Sequence, residues 1–162
     1  MAFGGIVGGA WFGEFRINLT PSEPIGLWRI EPLDRLAAVG DLVFICLPVG
    51  AITEFGMDRG YFRAGPCPSG TAPLIKMVAA ISGAHVDIGK DVTIDGTPLP
   101  ASRLSPRDGA GRALDPWSGG IVPAGYVFLH SPFAGSYDSR YFGPIPAAGV
   151  LGMARPVLTW AP

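Results

Sequence analysis

Prolines stand at positions 21, 24, 32, 48, 66, 68, 73, 98, 100, 106, 116, 123, 132, 144 and 146, and this spacing leaves no room for a long helix interior. What lies between them is apolar and short. Leu27–Ile30, Asp41–Leu47, Leu74–Ile81, Val92–Ile94, Tyr126–His130 and Val150–Met153 read as strands bounded by turn residues. Asp95–Gly96 is a tight-turn dipeptide, so Val92–Pro100 is expected to be a hairpin. Pro32–Ala38 has room for one helical turn, and Arg103–Gly120, rich in Gly, Ser, Asp and Pro, reads as a surface excursion. The expected class is mainly β: a compact, irregular barrel or sandwich with few short helices.

Gly and Pro contribute 24 and 17 of the 162 residues, a share that would suit disorder if the rest were polar. The rest is not polar. Hydrophobic residues make up 48% and charged residues 15%, so the chain has the material for one buried core. A formal net charge of −1 gives no basic footprint for nucleic acid. Two cysteines, Cys46 and Cys67, and two histidines, His85 and His130, are not at metal-ligand spacing, so neither a metal nor a cofactor is expected. Mean hydropathy is positive, which points to an apolar surface or a membrane contact. Met1–Gly13 is uncharged, and two readings of it stand. Composition favours the end of a membrane anchor; an interfacial segment or buried strand is the other. Residues 14–162 would then form the catalytic β domain.

Three stretches carry chemistry. In NLTPSEPIGLW (residues 18–28), Ser22 lies between Pro21 and Pro24's segment, which cannot be regular helix or central strand. A rigid loop of this kind can hold a hydroxyl nucleophile; a plain Pro-rich turn would look the same. In PLIKMVAAISG (residues 73–83), Lys76 is set among Leu74, Ile75, Met77 and Val78. Burial would lower its pKa and let it accept a serine proton, whereas an edge-strand lysine would send its charge out to water. SPFAGSYDSRYFGPIP (residues 131–146) offers hydroxyls with Asp138 and Arg140, which can pair bidentately in a catalytic or a purely structural role.

In order and content these stretches resemble the type I signal peptidases, over about residues 16–146. In that family a serine in a Pro-containing loop precedes a lysine on an apolar strand, and a later S-x-D-S-R-Y-x-G box completes the site. Here that box is SYDSRYFG, Ser136–Gly143. The TPSEPIGLW loop and the cysteine of GPCPSG, Cys67, resemble in particular the conjugative-transfer branch, the TraF-type peptidases. The resemblance implies a serine endopeptidase with Ser22 as nucleophile and Lys76 as general base. It implies an oxyanion hole from the Ser22 N–H and the Thr20 hydroxyl, a Lys76-orienting hydroxyl on Ser136, and a supporting Asp138–Arg140 ion pair. The implied substrate is an exported precursor, in this branch a pilin, cleaved or joined into a ring. The implied place is the cytoplasmic membrane, with the catalytic domain facing the periplasm. Met77 and His130–Phe133 (HSPF) depart from general signal peptidases, which usually have Arg and a Gly-Asp-Asn-Arg run at these places. A general signal peptidase and a catalytically inactive β-rich module of a secretion assembly are the competing expectations. In the periplasm, Cys46 and Cys67 are expected to form a disulfide.

Overall fold

Apolar runs too short to wind into helices can satisfy their backbone only by pairing, and here they pair antiparallel throughout. The computed structural model describes residues 14–161. The Met1–Gly13 run, expected to contact a membrane, lies outside the described residues. Among the described residues no helix is long and apolar enough to cross a membrane.

The larger sheet has seven strands: β1 (Phe15–Asn18), β2 (Ile25–Glu31), β3 (Leu42–Ile45), β4 (Leu74–Ile81), β9 (Tyr126–His130), β10 (Ile145–Pro146) and β11 (Val150–Trp160). Their spatial order is β1-β2-β11-β3-β4-β9-β10. A smaller sheet joins β5 (His85–Ile88), β6 (Val92–Ile94), β7 (Thr97–Pro98) and β8 (Gly120–Ile121) in the order β7-β6-β5-β8. The mainly β expectation holds, with open sheets rather than a closed barrel. The expected hairpin is β6–β7, and its turn places both Asp95 and Gly96 at positive φ, 49° and 78°.

β4 is central, between β3 and β9, and buried on both faces, as its near-continuous apolar run requires. Ile75 packs with Trp28, Ile30 and Phe44 on one face; Val78 packs with Val43, Leu129 and Ile145 on the other. Lys76 pairs directly with Val43, so it projects onto the second face. A register shift between Val78 and Ala80 follows, and beyond it Ala79 and Ala80 pack with Val86, Val92 and Phe128 where the two sheets meet.

One local expectation is corrected, one helix is unanticipated, and one expected strand is longer than expected. Pro32–Ala38 forms no helical turn. Asp41 claims the donors instead: its carboxylate accepts from the Ala38 N–H and from Arg35 at 2.7–2.9 Å, which folds the segment back on itself. Helix is found at α1 (Ala51–Asp58), where Gly56 lets the Phe62 ring lie against the helix backbone, in space any side chain would fill. β11 runs seven residues past Met153 despite Pro156. Its Val150–Met153 half pairs with β3, while the Pro156 half has only β2 beside it, an edge position of the kind prolines occupy in sheets.

Candidate active site

The Ser22 loop is built by one side chain. Asn18 ends β1, and its Nδ2 donates to the carbonyls of Thr20 (3.0 Å), Glu23 (2.9 Å) and Pro24 (3.1 Å). With the amide nitrogen facing three acceptors, Oδ1 must face the other way. There it accepts from the Thr20 N–H (3.1 Å) and the Thr20 hydroxyl (2.7 Å). Trp28 Nε1 adds a bond to the Pro24 carbonyl (2.9 Å). Residues 19–24 are thereby fixed without any regular structure.

The loop is also pinned from across the molecule. The buried Ser131 hydroxyl donates to the Ser22 carbonyl at 2.7 Å, and the Ser131 N–H donates to Asp138 Oδ2 at 3.1 Å. Asp138 is fully buried and meets Arg140 bidentately: Nε to Oδ1 at 2.8 Å, Nη2 to Oδ2 at 2.9 Å. Asp138 also caps the four-residue helix α2 (Ser139–Phe142) by accepting from the Arg140 N–H. Arg140 in turn donates to the carbonyls of Arg103 and Ser136. The ion pair is thus joined to the Ser22 backbone through one hydroxyl, that of Ser131.

On β4, Lys76 is 4% exposed and donates from Nζ to Ser22 Oγ at 3.1 Å. No carboxylate lies within salt-bridge distance of it among the described residues. Burial holds its pKa below that of an ordinary lysine; the more distant charges of Asp138 and Glu23 act the other way. Glu23, beside Ser22, is itself pushed up by burial and partly restored by Lys76. Ser22 and Lys76 open into a cavity of about 540 Å³, also lined by Thr20, Tyr61, Phe133 and Ser136. A smaller cavity of about 90 Å³ lies between Ile17–Thr20 and Ala72–Ile75 and reaches both Ser22 and Lys76.

The fold places Ser22, Lys76, Thr20 and Ser136 around one cavity and joins the Asp138–Arg140 pair to the Ser22 loop through Ser131, with two differences of detail from the expected site. The Thr20 hydroxyl gives its proton to Asn18, although Thr20 lines the cavity. The Ser136 hydroxyl, buried, has no hydrogen-bond partner among the described residues, so its expected bond to Lys76 is not formed here. His130 is buried, but pairing with Met77 turns it to the face opposite Lys76; burial lowers its pKa, and Asp138, 3.7 Å from Nδ1, acts the other way. His85 is half exposed beside Asp87. Among the described residues no group of three or more His, Cys, Asp or Glu side chains could hold a metal ion.

A family model described as signal peptidase, peptidase S26, matches residues 1–160. The chain belongs to this family. It is 63% identical over 162 residues to the protein named "Probable conjugal transfer protein TraF" of Sinorhizobium fredii (strain NBRC 101917 / NGR234), covering 100% of this chain and 86% of that one. It is 56% identical over 150 residues to "Conjugal transfer protein TraF" of Agrobacterium fabrum (strain C58 / ATCC 33970), covering 93% of this chain and 85% of that one. A crystal structure of a signal peptidase I from Enterococcus faecalis V583 aligns over 74% of this chain and 98% of its own, with 19% identity and a TM-score of 0.42. As a member of the signal peptidase family, the protein is a peptidase, and its substrates are peptides or proteins.

Asn18 and Ser131 were not singled out by the sequence. Asn18 carried a usable signal, since an Asn ahead of a Pro-Ser turn is a usual loop builder. Ser131 lay in the HSPF segment, which in sequence marks only a departure from the general signal peptidase pattern.

Proposed function

We propose that this signal peptidase family member is a serine endopeptidase whose Ser22–Lys76 pair performs acyl transfer on an exported precursor. One observation carries the proposal. A lysine buried to 4% exposure, with no carboxylate in salt-bridge reach among the described residues, has its Nζ 3.1 Å from a loop serine hydroxyl. An ammonium in that place would be poorly solvated, so the neutral amine is favoured, and a neutral amine can accept a proton.

Lys76 takes the Ser22 proton as Oγ attacks the scissile carbonyl. The Ser22 N–H, which has no hydrogen-bond partner among the described residues, is the proposed first donor to the oxyanion. The Thr20 hydroxyl becomes the second by rotating away from Asn18. The Lys76 ammonium then protonates the leaving amine, and the peptide bond breaks to leave an ester on Ser22. Ser136 is the proposed hydrogen-bond acceptor that orients Lys76 during this cycle, its buried hydroxyl, unpartnered among the described residues, lining the same cavity. Water, activated by Lys76, hydrolyses the ester; in a cyclising reaction the precursor's own amine attacks instead. The small cavity beside the dyad would admit only a small side chain near the cut.

The names of the relatives support a role in conjugative transfer, with a pilin precursor as substrate. The Cys46–Cys67 disulfide supports an oxidising compartment, and family membership supports a membrane-associated enzyme facing the periplasm. Incubating a conjugative pilin precursor with the protein, followed by mass spectrometry, tests the proposal. A trimmed product that Ser22→Ala does not form is the expected result, and a further loss of one water marks ring closure. Trimming by Ser22→Ala at the parental rate would sink the assignment.

A further inference from the structure

The cavity that holds Ser22 and Lys76 does not end at the dyad. A second cavity of about 660 Å³ shares Tyr61, Gly135, Ser136 and Tyr137 with it and extends to Arg59, Arg107 and Arg112. Three guanidiniums share this cavity with one carboxylate, Asp108, which pairs with Arg112 at 2.7 Å and lies 3.7 Å from Arg59. That carboxylate is already saturated: it accepts from the Tyr61 hydroxyl, from Arg112 Nε at 2.7 Å, and from the N–H groups of Ala110 and Arg112 at 2.9 Å each. These bonds hold its pKa well below the ordinary carboxylate range.

Two positive charges are left over, in a chain whose formal net charge is −1. Donors are left over as well. Arg107 spends one nitrogen on the Gly111 carbonyl within its own loop. Among the described residues Arg59 hydrogen-bonds only through Nη1, to Tyr61 and the Ala113 carbonyl, with the same nitrogen 3.7 Å from Asp108, and Arg112 keeps Nη1 unbonded. The floor between the dyad and these arginines is aromatic and fixed. Tyr137 lies 4.6 Å from Tyr61 and 5.7 Å from Tyr141, centroid to centroid. A groove this rigid, with spare guanidinium donors at one end, is pre-organised for an anion.

We propose that the arginine-lined end is a substrate subsite for a carboxylate of the bound peptide, set apart from the scissile bond. The carboxylate is that of an acidic side chain or of the chain terminus. This extends the Ser22–Lys76 proposal and rests on it for the direction in which the peptide runs.

Binding, rather than turnover, gives the test. The Ser22→Ala protein is titrated with short Ala-rich peptides, ends blocked, in which one Glu is scanned through both flanks of the cut. Each is compared with its Gln counterpart, and a neutral peptide is compared with a free and an amidated C-terminus. One Glu position, or the free terminus, should bind roughly fivefold or more tightly than its neutral partner at low salt, as partly exposed charge pairs allow. Which pair discriminates identifies the source of the carboxylate. The preference should fall below about twofold in 1 M NaCl, where screening acts within about 3 Å. Arg107→Gln should reduce the preference and Arg107→Lys should retain part of it; because among the described residues the Arg107 side chain bonds only within its loop, these variants should keep the parental melting temperature. Equal affinity within every pair would overturn the proposal, as would a preference unchanged by both Arg107→Gln and Arg112→Gln. Failure of the parental protein to cleave these peptides would instead count against the dyad and leave the affinity comparison intact.

Discussion

At the residue scale, the site turns on two side chains that work by opposite means: Lys76 by losing solvent, Asn18 by gaining partners. The buried Lys76 amine should titrate below the ordinary lysine value near 10.4. kcat/KM should therefore rise with pH and level off at a lower pH than an unperturbed lysine would require, as the fraction of neutral base saturates. The stability linkage has the same sign. Because the folded-state pKa is lowered, the unfolded chain binds the proton more tightly, and stability rises with pH between the depressed value and the unfolded one. Lys76→Met keeps length and apolar fit, so it should fold at least as stably while losing roughly 10²–10⁴-fold in turnover, the usual worth of a general base. A Lys76→Met protein with near-parental kcat would remove the lysine from the mechanism. Asn18→Asp is the sharper test of the loop. It replaces a donor by an acceptor opposite the carbonyls of Thr20, Glu23 and Pro24. Each lost bond is worth about 1 kcal/mol and repulsion adds to that, so kcat should fall by roughly tenfold or more and the melting temperature should drop with it. Parental kinetics in Asn18→Asp would mean that the Ser22 loop holds its shape without this amide.

At the element scale, the ion pair of the last box acts as a bracket. Asp138 joins Arg140, the start of α2 and, through Ser131, the Ser22 carbonyl. Asp138→Asn leaves a fully buried guanidinium without its counter-charge, which should cost about 3–5 kcal/mol of stability and carry activity down with it. Denaturant titration beside kinetics separates the possibilities: full stability with no turnover would place Asp138 in the chemistry instead. The same elements show what the sequence could and could not reveal. β4, β9 and the β6–β7 hairpin were legible because each is a short apolar run closed by turn residues, and pattern alone decides such strands. α1 was not. It is eight residues long, contains Gly56 and starts from Gly50, so two turns of periodicity carry neither a propensity nor a cap signal. The Pro32–Ala38 turn failed because Asp41, a side chain outside the segment, takes its donors. Ser22, Lys76 and the Asp138–Arg140 pair were legible through family resemblance, each being ambiguous alone. The contacts that bind them, Asn18 to three carbonyls and Ser131 to Ser22, depend on how distant segments converge, which no local pattern encodes.

At the scale of the whole molecule, the cleft has one wall on sheet and one on loop, and a covalent bond fastens the loop. Cys46 follows β3, and Cys67 sits in the excursion that leads into β4, 21 residues later. Around Cys67 the excursion folds into its own small turn: Gly70 donates to the Cys67 carbonyl, and Cys67 donates to Thr71. Arg63, Ala72, Pro73 and Leu74, on the two flanks of this turn, line the small cavity beside the dyad. The disulfide thus ties a cleft wall to the strand next to the Lys76 strand. Closing a loop of this size contributes about 3 kcal/mol in the chain-entropy account. For a domain of this length that corresponds to a fall in melting temperature of roughly 6–12 °C when the bond is removed. The Cys46→Ala/Cys67→Ala double variant should show that fall in calorimetry. It should also show a KM for peptide raised more than kcat is lowered, because Ser22, Lys76 and the Asp138–Arg140 bracket are held by other elements. A double variant that melts with the parental protein would mean that the turn around Cys67 is held by its backbone hydrogen bonds alone. A kcat reduced as far as in Lys76→Met would mean that the loop wall positions the dyad itself.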